Sequence, residues 1–272
     1  MLGQPLVSVI MGVYNGERFL QEAIESVLEQ SYSNIEFLIC DDCSSDGTAN
    51  ILKEYAQKDR RIRLIKNEKN MGLATSLNRC IQLAKGELIA RMDCDDRCAL
   101  NRFEIQVQFL QINPRIDVVG TGVYFIDDCG QVFGQKNDGE VRVVRLQDAV
   151  KCNQLIHPTV MMRKSSINEV GGYSVNELTM RAEDYDLWCK MCEKGRNLCV
   201  IPESLFFYRE DVSNIVKRKY RYRIQEAKLK KYWIRRTNMP RSYLWYVVKP
   251  LIVGLIPLPI YKILHRRSLT NN

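Results

Sequence analysis

The sequence predicts an α/β fold, a Rossmann-like domain built on a mostly parallel central sheet. Short apolar runs rich in β-branched residues alternate with segments whose apolar positions repeat at helical spacing, and polar clusters follow several of the short runs. At 272 residues the chain has room for one large domain and an appendage, and its 46% hydrophobic and 26% charged residues exclude wholesale disorder and coiled-coil designs.

The elements follow in order. Val7-Ser8-Val9-Ile10-Met11 reads as a buried strand that ends in a turn at Gly12 and Asn15-Gly16. From Glu17 to Glu29, the positions Phe19, Leu20, Ile24, Val27 and Leu28 trace one face of a helix. Ile35 to Cys40 is a second strand, Asp41 to Thr48 a polar turn and Ala49 to Lys58 a second helix. Ile62 to Ile65 is a third strand, Asn67 to Gly72 a loop, Leu73 to Lys85 a third helix and Glu87 to Met92 a fourth strand. This alternation implies parallel strands with helices on both faces. Ligands bind such sheets beyond the carboxyl ends of the strands. Three polar clusters fall there: Tyr14-Asn15-Gly16, Asp41 to Thr48, and Asp93-Cys94-Asp95-Asp96. No Gly-x-Gly-x-x-Gly and no Gly-x-x-x-x-Gly-Lys-Ser/Thr is present, which argues against dinucleotide and P-loop chemistry.

The net charge of +8 is unevenly placed. Lys217 to Arg236 hold ten Lys or Arg against one Glu, and five more basic side chains follow with no acid, so the first 216 residues carry about −6. The ten cysteines accompany no secretory leader, and several lie in apolar runs (Cys40, Cys80, Cys199), so reduced thiols in a cytosolic chain are expected. Cys189 and Cys192 lack a second pair or a neighbouring His, which favours a shared helix face over a zinc site.

Asp93-x-Asp95-Asp96 crowds three carboxylates after a strand. A divalent cation relieves such crowding, and Mg²⁺ or Mn²⁺ prefers oxygen ligands and bridges readily to a diphosphate. Asp clusters are also common in solvated turns and helix caps, so the spacing alone leaves both readings open. At Asp41-Asp42 a carboxylate can accept a hydrogen bond from a nucleobase N–H, while Ser44 or Asp46 caps the next helix. Asp184, Leu187, Trp188 and Met191 share the face of a helix that runs to about Lys194, which puts Asp184 at the top of an inward face. Glu183 and Asp184 also complement the helix dipole, worth about 0.3–1 kcal/mol. His157, one of two histidines, precedes Pro158 beside an apolar run and reads either as a structural residue or as a contact to metal or phosphate.

Val7 to Asn15, Glu36 to Asp42, Ser44, Asp46-Gly47-Thr48, Asn70-x-Gly72, Asn78, Ala84-x-Gly86, Asp93-x-Asp95-Asp96 and Glu183-Asp184-x-Asp186-Leu187-Trp188 together resemble the family 2 glycosyltransferases of the GT-A fold, of bacterial surface-polysaccharide type. The resemblance covers roughly residues 6 to 210. It implies an inverting hexosyl transfer from a nucleotide-diphosphate sugar, with a UDP-sugar favoured. Tyr14 and Asp42 would hold base and ribose with Asp41 nearby. Asp93 and Asp95 would serve the ribose and a Mn²⁺ or Mg²⁺ ion, Asp95 as the direct ligand. Asp184 would be the general base, with Glu183, His157 and Asp96 on the acceptor or phosphate side. Gly12-Val13 stands where the family often has Pro-Thr or Pro-Ala, and Cys43 where Gly is common. The Gln-x-x-Arg-Trp of processive synthases is absent, so one residue is added per encounter. A pyrophosphorylase would need a Gly-rich basic amino-terminal loop that this chain lacks, and a catalytically weak binding module would not need the full acidic set.

These readings divide the chain into a catalytic domain at 1–215, with a nucleotide-sugar-binding half at 1–96 and an acceptor-binding half at 97–215, and a C-terminal segment at 216–272. In that segment, Pro250 to Tyr261 would span about 18 Å as a helix, against a hydrocarbon thickness of roughly 30 Å. Tyr232, Trp233, Tyr243, Trp245 and Tyr246 among Lys and Arg suit an interface lying on an anionic leaflet. The alternative is a terminal helix packed on the domain. A chain held peripherally to the inner face of the cell membrane, with a saccharide or lipid-linked saccharide acceptor and no nucleic-acid partner, is the resulting expectation.

Overall fold

The structure is a computed structural model and describes residues 3–210 and 220–257. Its first half runs β1 (Val7–Val13), α1 (Leu20–Leu28), β2 (Ile35–Asp41), α2 (Thr48–Lys58), β3 (Ile62–Lys66), α3 (Leu73–Leu83) and β4 (Leu88–Arg91). Then come β5 (Arg97–Cys98), α4 (Arg102–Ile112), β6 (Val118–Ile126), β7 (Val132–Lys136), β8 (Arg142–Val144) and α5 (Leu146–Lys151). A 3-10 turn at His157–Thr159 leads to β9 (Met161–Arg163), α6 (Lys164–Glu169), α7 (Glu183–Glu193) and β10 (Leu198–Arg209). Two helices, α8 (Tyr220–Arg236) and α9 (Leu244–Val253), close the described chain.

The strands form one sheet in the order β3-β2-β1-β4-β9-β6-β10-β5, with β7 on β6 and β8 on β10. Pairings β3/β2/β1/β4 and β6/β10 are parallel, and β9 runs antiparallel between the two groups. Strand alternation divides the core. Val7, Val9, Met11 and Val13 pack on one face with Leu20, Ile24 and Val27 of α1 and Phe103 and Val107 of α4. Ile10 and Ile89 pack on the other with Leu77 of α3, Trp188 of α7 and Trp233 of α8. Each large buried aliphatic side chain contributes roughly 1.5–3 kcal/mol.

The seven elements expected through residue 92 all form, with shifted ends. α1 starts at Leu20 rather than Glu17, because Gly16 N donates to Thr48 Oγ1 and Glu17 N to Asp46 Oδ2, spending that stretch on the neighbouring turn. α3 stops at Leu83 because the next residues serve the opposite end of the sheet, where Lys85 N and Ser8 Oγ donate to Glu36 Oε1 and Gly86 N donates to Ser8 Oγ. A Cβ on Gly86 would lie 2.4 Å from Leu6 O. Gly86→Ala is therefore expected to cost about 2–3 kcal/mol in a denaturant melt, and a loss under about 0.5 kcal/mol would contradict this packing.

All ten cysteines are free thiols, and Cys189 and Cys192 sit on α7, the first buried and the second partly so. The C-terminal segment divides in two. Leu229, Trp233 and Ile234 of α8 are buried in the core, so Trp233 does not belong to an outward aromatic set. On α9, Leu244, Val248, Ile252 and, just beyond it, Leu255 form an exposed apolar stripe beside Trp245. No helix among the described residues is long and apolar enough to cross a membrane. The apolar tail from Leu258 to Leu264 lies outside the described residues.

Candidate active site

The chain moves outward from β1 through β2 to β3 and returns to β4 on the other side of β1, so a crevice opens at the carboxyl ends of β1 and β4. Val13 is in register with Asp41, and Met92 N donates to Ile10 O, which brings the three polar clusters to one rim. Asn15 N donates to Ser44 Oγ, and Ser45 N to Asn15 Oδ1, locking the first turn to the second. Asn15 and Cys43 hold the left-handed backbone, φ 53 and 63, so Cys43 adopts the conformation that glycine takes freely. A Cβ on Gly16 would lie 3.1 Å from Cys94 Sγ, and its absence lets the acidic loop close against the first turn. Tyr14 is 51% exposed at this rim.

Asp41 and Asp42 are both buried, but they are spent differently. Asp41 Oδ1 accepts from Ser44 N at 3.0 Å. Asp42 accepts three bonds from the loop between β3 and α3: Asn67 Nδ2 (2.6 Å) and Met71 N (2.7 Å) on Oδ1, and Gly72 N (2.8 Å) on Oδ2. Asp42 is thus an anchor of the rim first, and Asp41 has more free acceptor capacity.

The carboxylates of Asp93, Asp95 and Asp96 lie together, one oxygen from each within 4.8 Å of the others. Arg209 holds their loop, donating from Nε to Asp95 O (2.7 Å) and from its own N to Asp96 Oδ1 (2.7 Å). Asp96 Oδ2 is buried without a hydrogen-bond partner. Burial, then Asp93, pushes Asp95 up to about 6, and burial with the neighbouring carboxylates raises Asp96 well above the ordinary carboxylate range. An oxygen-only, electron-rich group with an orphaned buried acceptor fits a hard divalent cation.

Across the crevice, α7 begins at Glu183, which puts Glu183 and Asp184 in its first turn, while Leu187, Trp188 and Met191 are buried below. Asp184 accepts from Tyr185 N at 2.8 Å and from Asn153 Nδ2. Burial raises Asp184 against these bonds and the pull of Arg91, and burial followed by Asp184 brings Glu183 to about 7.

Between the two acidic groups stands Arg91, the buried last residue of β4. It pairs with Asp93 through Nη1 out of hydrogen-bond alignment, and its Nε has no hydrogen-bond partner. The signal for it is a charged side chain within Leu88-Ile89-Ala90-Arg91-Met92, a run that a parallel strand otherwise keeps apolar. His157 is buried beside Trp188 and shares a 2.7 Å hydrogen bond with Tyr173 Oη. Burial and then Arg91 hold its imidazole neutral, well below its ordinary value. Its ring also packs edge-on against Tyr173 and Trp188. Asn153, which nothing in its sequence surroundings marks, is brought to Asp184 by the fold alone.

The family model Glycosyl transferase family 2 matches residues 8–171. EpsE of Bacillus subtilis (strain 168), which carries a glycosyltransferase name, is 40% identical over 98% of this chain and 95% of its own length. The O-antigen biosynthesis glycosyltransferase WbnJ of Escherichia coli is 30% identical over 71% of this chain and 74% of its own. Among solved structures, S. aureus TarS 1-349 in complex with UDP superposes with a TM-score of 0.64 at 19% identity, over 96% of this chain and 87% of that one. The mannosyltransferase PcManGT from Pyrobaculum calidifontis, in complex with GDP-Man and Mn²⁺, gives 0.64 at 17% identity, over 98% and 80%. At such identities these two show a shared GT-A fold.

Proposed function

The chain belongs to glycosyl transferase family 2 and is a glycosyltransferase; from that membership and the geometry of the crevice we propose an inverting, metal-dependent, non-processive transfer of a hexosyl unit from a UDP-sugar to a saccharide hydroxyl. The observation that carries the reading is the placement of two acidic groups about one buried cation: Asp93, Asp95 and Asp96 on the donor side, Glu183 and Asp184 on the other, and Arg91 between them. Tyr14 and Asp41 meet the nucleoside at the rim, while Asp42 fixes the loop beneath it. Asp95 and Asp93 would hold a Mn²⁺ or Mg²⁺ ion, which when bound offsets the charge of the diphosphate leaving group. Asp184 takes the proton of the acceptor hydroxyl as that oxygen bonds to the anomeric carbon. The bond from that carbon to the diphosphate oxygen breaks on the opposite face, and its electron pair leaves with the nucleotide. Asn153 and Tyr185 N hold the Asp184 carboxylate in position for this step.

Hydrolysis or transfer assayed over UDP-, GDP- and dTDP-sugars with Mn²⁺ or Mg²⁺ tests the reading. Turnover of a UDP-sugar that stops on addition of a chelator is expected. Turnover indifferent to the chelator, or none with any donor, would overturn it.

The O-antigen relative and the exposed stripe of α9 support an acceptor that is lipid-linked and belongs to surface-polysaccharide assembly, met at the inner face of the cell membrane. Trp245, Ile252 and Leu255 supply apolar surface, and exposed Lys228, Lys231, Arg235, Arg241 and Lys249 supply charge, each worth about 1 kcal/mol at an anionic surface. Trp245→Glu with Ile252→Glu is expected to weaken co-sedimentation with phosphatidylglycerol vesicles by about tenfold or more while donor hydrolysis is retained. Wild-type vesicle binding in that variant would remove α9 from the membrane reading.

A further inference from the structure

Asp186 is the third carboxylate of the acidic motif on α7, and the chemistry above does not use it. It is buried, and both of its oxygens are taken. Oδ1 accepts from Trp233 Nε1 of α8 at 2.9 Å. Oδ2 accepts from Ser174 Oγ at 2.6 Å, and Lys190 Nζ lies 3.8 Å away. Trp233 is itself buried, so its N–H has no access to water and needs this acceptor. Ser174 belongs to the segment that leads into α7, and that segment is gripped from the far side by Asn78, whose Nδ2 donates to Tyr173 O at 2.8 Å and whose Oδ1 accepts from Tyr173 N at 2.9 Å. Asp186 is therefore the point at which α8, the first turn of α7 and the segment before it are joined, two residues from Asp184.

We propose that the Trp233–Asp186–Ser174 strut is a positioning device for Asp184, and that α8 is a working part of the acceptor site rather than only the link to α9. Three features support this. The strut bears on the same helical turn as Asp184, where a shift on the order of 1 Å costs up to about a hundredfold in rate. Lys230 Nζ, one turn before Trp233, donates to Lys151 O at 3.3 Å, and the residues after Lys151 carry Asn153 to Asp184. α8 thus holds Asp184 from two sides. A half-open cavity of about 480 Å³, lined in part by Ser174, Asp186, Lys190 and Trp233, lies beside the strut, so a helix released from it has room to shift instead of being held by packing alone.

The proposal rests on Asp184 as the base, and the test separates the two. Trp233→Phe keeps the buried ring and removes the N–H; Ser174→Ala releases the other oxygen. Both are expected to lower the kcat of transfer by roughly ten- to a hundredfold, with the donor KM changed less than about twofold. Leu229→Ala, on the same helix but without a bond to Asp186, serves as the control. It is expected to lower Tm and to keep kcat below its melting range. Wild-type kcat in Trp233→Phe and Ser174→Ala, or an equal kcat loss in Leu229→Ala, would overturn the strut. If Asp184→Asn also kept its turnover, the assignment of the base would fall with it; an inactive Asp184→Asn beside an active Trp233→Phe would remove the strut alone.

Discussion

Replacing Asp184 by Asn is expected to lower turnover by about 10³-fold while donor affinity stays within about twofold, because the amide keeps the shape of the side chain and cannot accept the acceptor's proton. Weakened donor binding with normal turnover would sink the assignment. The pH dependence follows from the same site. Burial raises Asp184 and, with Asp184, brings Glu183 to about 7. The two carboxylates titrate together, under Arg91 and Asp93, so the acidic limb of kcat/KM belongs to the pair. Transfer requires the ionised base, so activity falls as pH drops into the interval between the ordinary carboxylate range and about 7. The stability term has the opposite sense. A carboxyl raised on folding binds more protons in the native state, so stability declines as pH rises through that window. Asp184→Asn removes one such group, and a melting temperature at pH 8 no lower than wild type is expected in a thermal scan.

The second large effect is expected at Asp95. Asp95→Asn should reduce transfer by on the order of 10²-fold or more and raise the Mn²⁺ concentration needed for half-maximal rate. Isothermal titration of Mn²⁺ into enzyme with UDP present should show the affinity lost as well. Asp96→Asn is the informative comparison. Its Oδ1 keeps the bond from Arg209 N, so the loop stays in place while one negative charge leaves the cluster. A smaller loss there than at Asp95 is expected. Unchanged metal dependence in Asp95→Asn would exclude it as a ligand.

The parallel half of the fold is legible because its strands are short, near-continuous apolar runs, they take turns with segments of helical period, and each polar cluster follows a strand. Val7 to Val13 and Ile35 to Asp41 declare themselves this way. The antiparallel insertion of Met161–Arg163 is not, since three residues carry no periodicity and their place between β4 and β6 is set by long-range pairing. The carboxylates of the site are equally visible, because an Asp after a buried strand stands out. The groups that organise them are less so. Asp42 looks like a ligand contact and is engaged by Asn67, Met71 and Gly72, because a backbone N–H distant in sequence cannot be seen in a motif. Trp233 looks like an outward aromatic in a basic helix, and its burial depends on α7 lying against it. Besides its pair with Asp93, Arg91 acts on His157, Glu183 and Asp184, 66 to 93 positions away, and Asn153 on Asp184, 31 positions away, across elements that sequence spacing does not relate.

The burial of two tryptophans and the exposure of the third give the protein an optical reporter. The chain has three, at 188, 233 and 245; the first two are 1% and 2% exposed, and Trp245 is 58% exposed. In solution, acrylamide should quench Trp245 and leave the other two dark to it. A blue-shifted emission and loss of that quenching when lipid is added would then come from α9 alone, so the unlabelled protein reports in one cuvette whether and where it meets a bilayer.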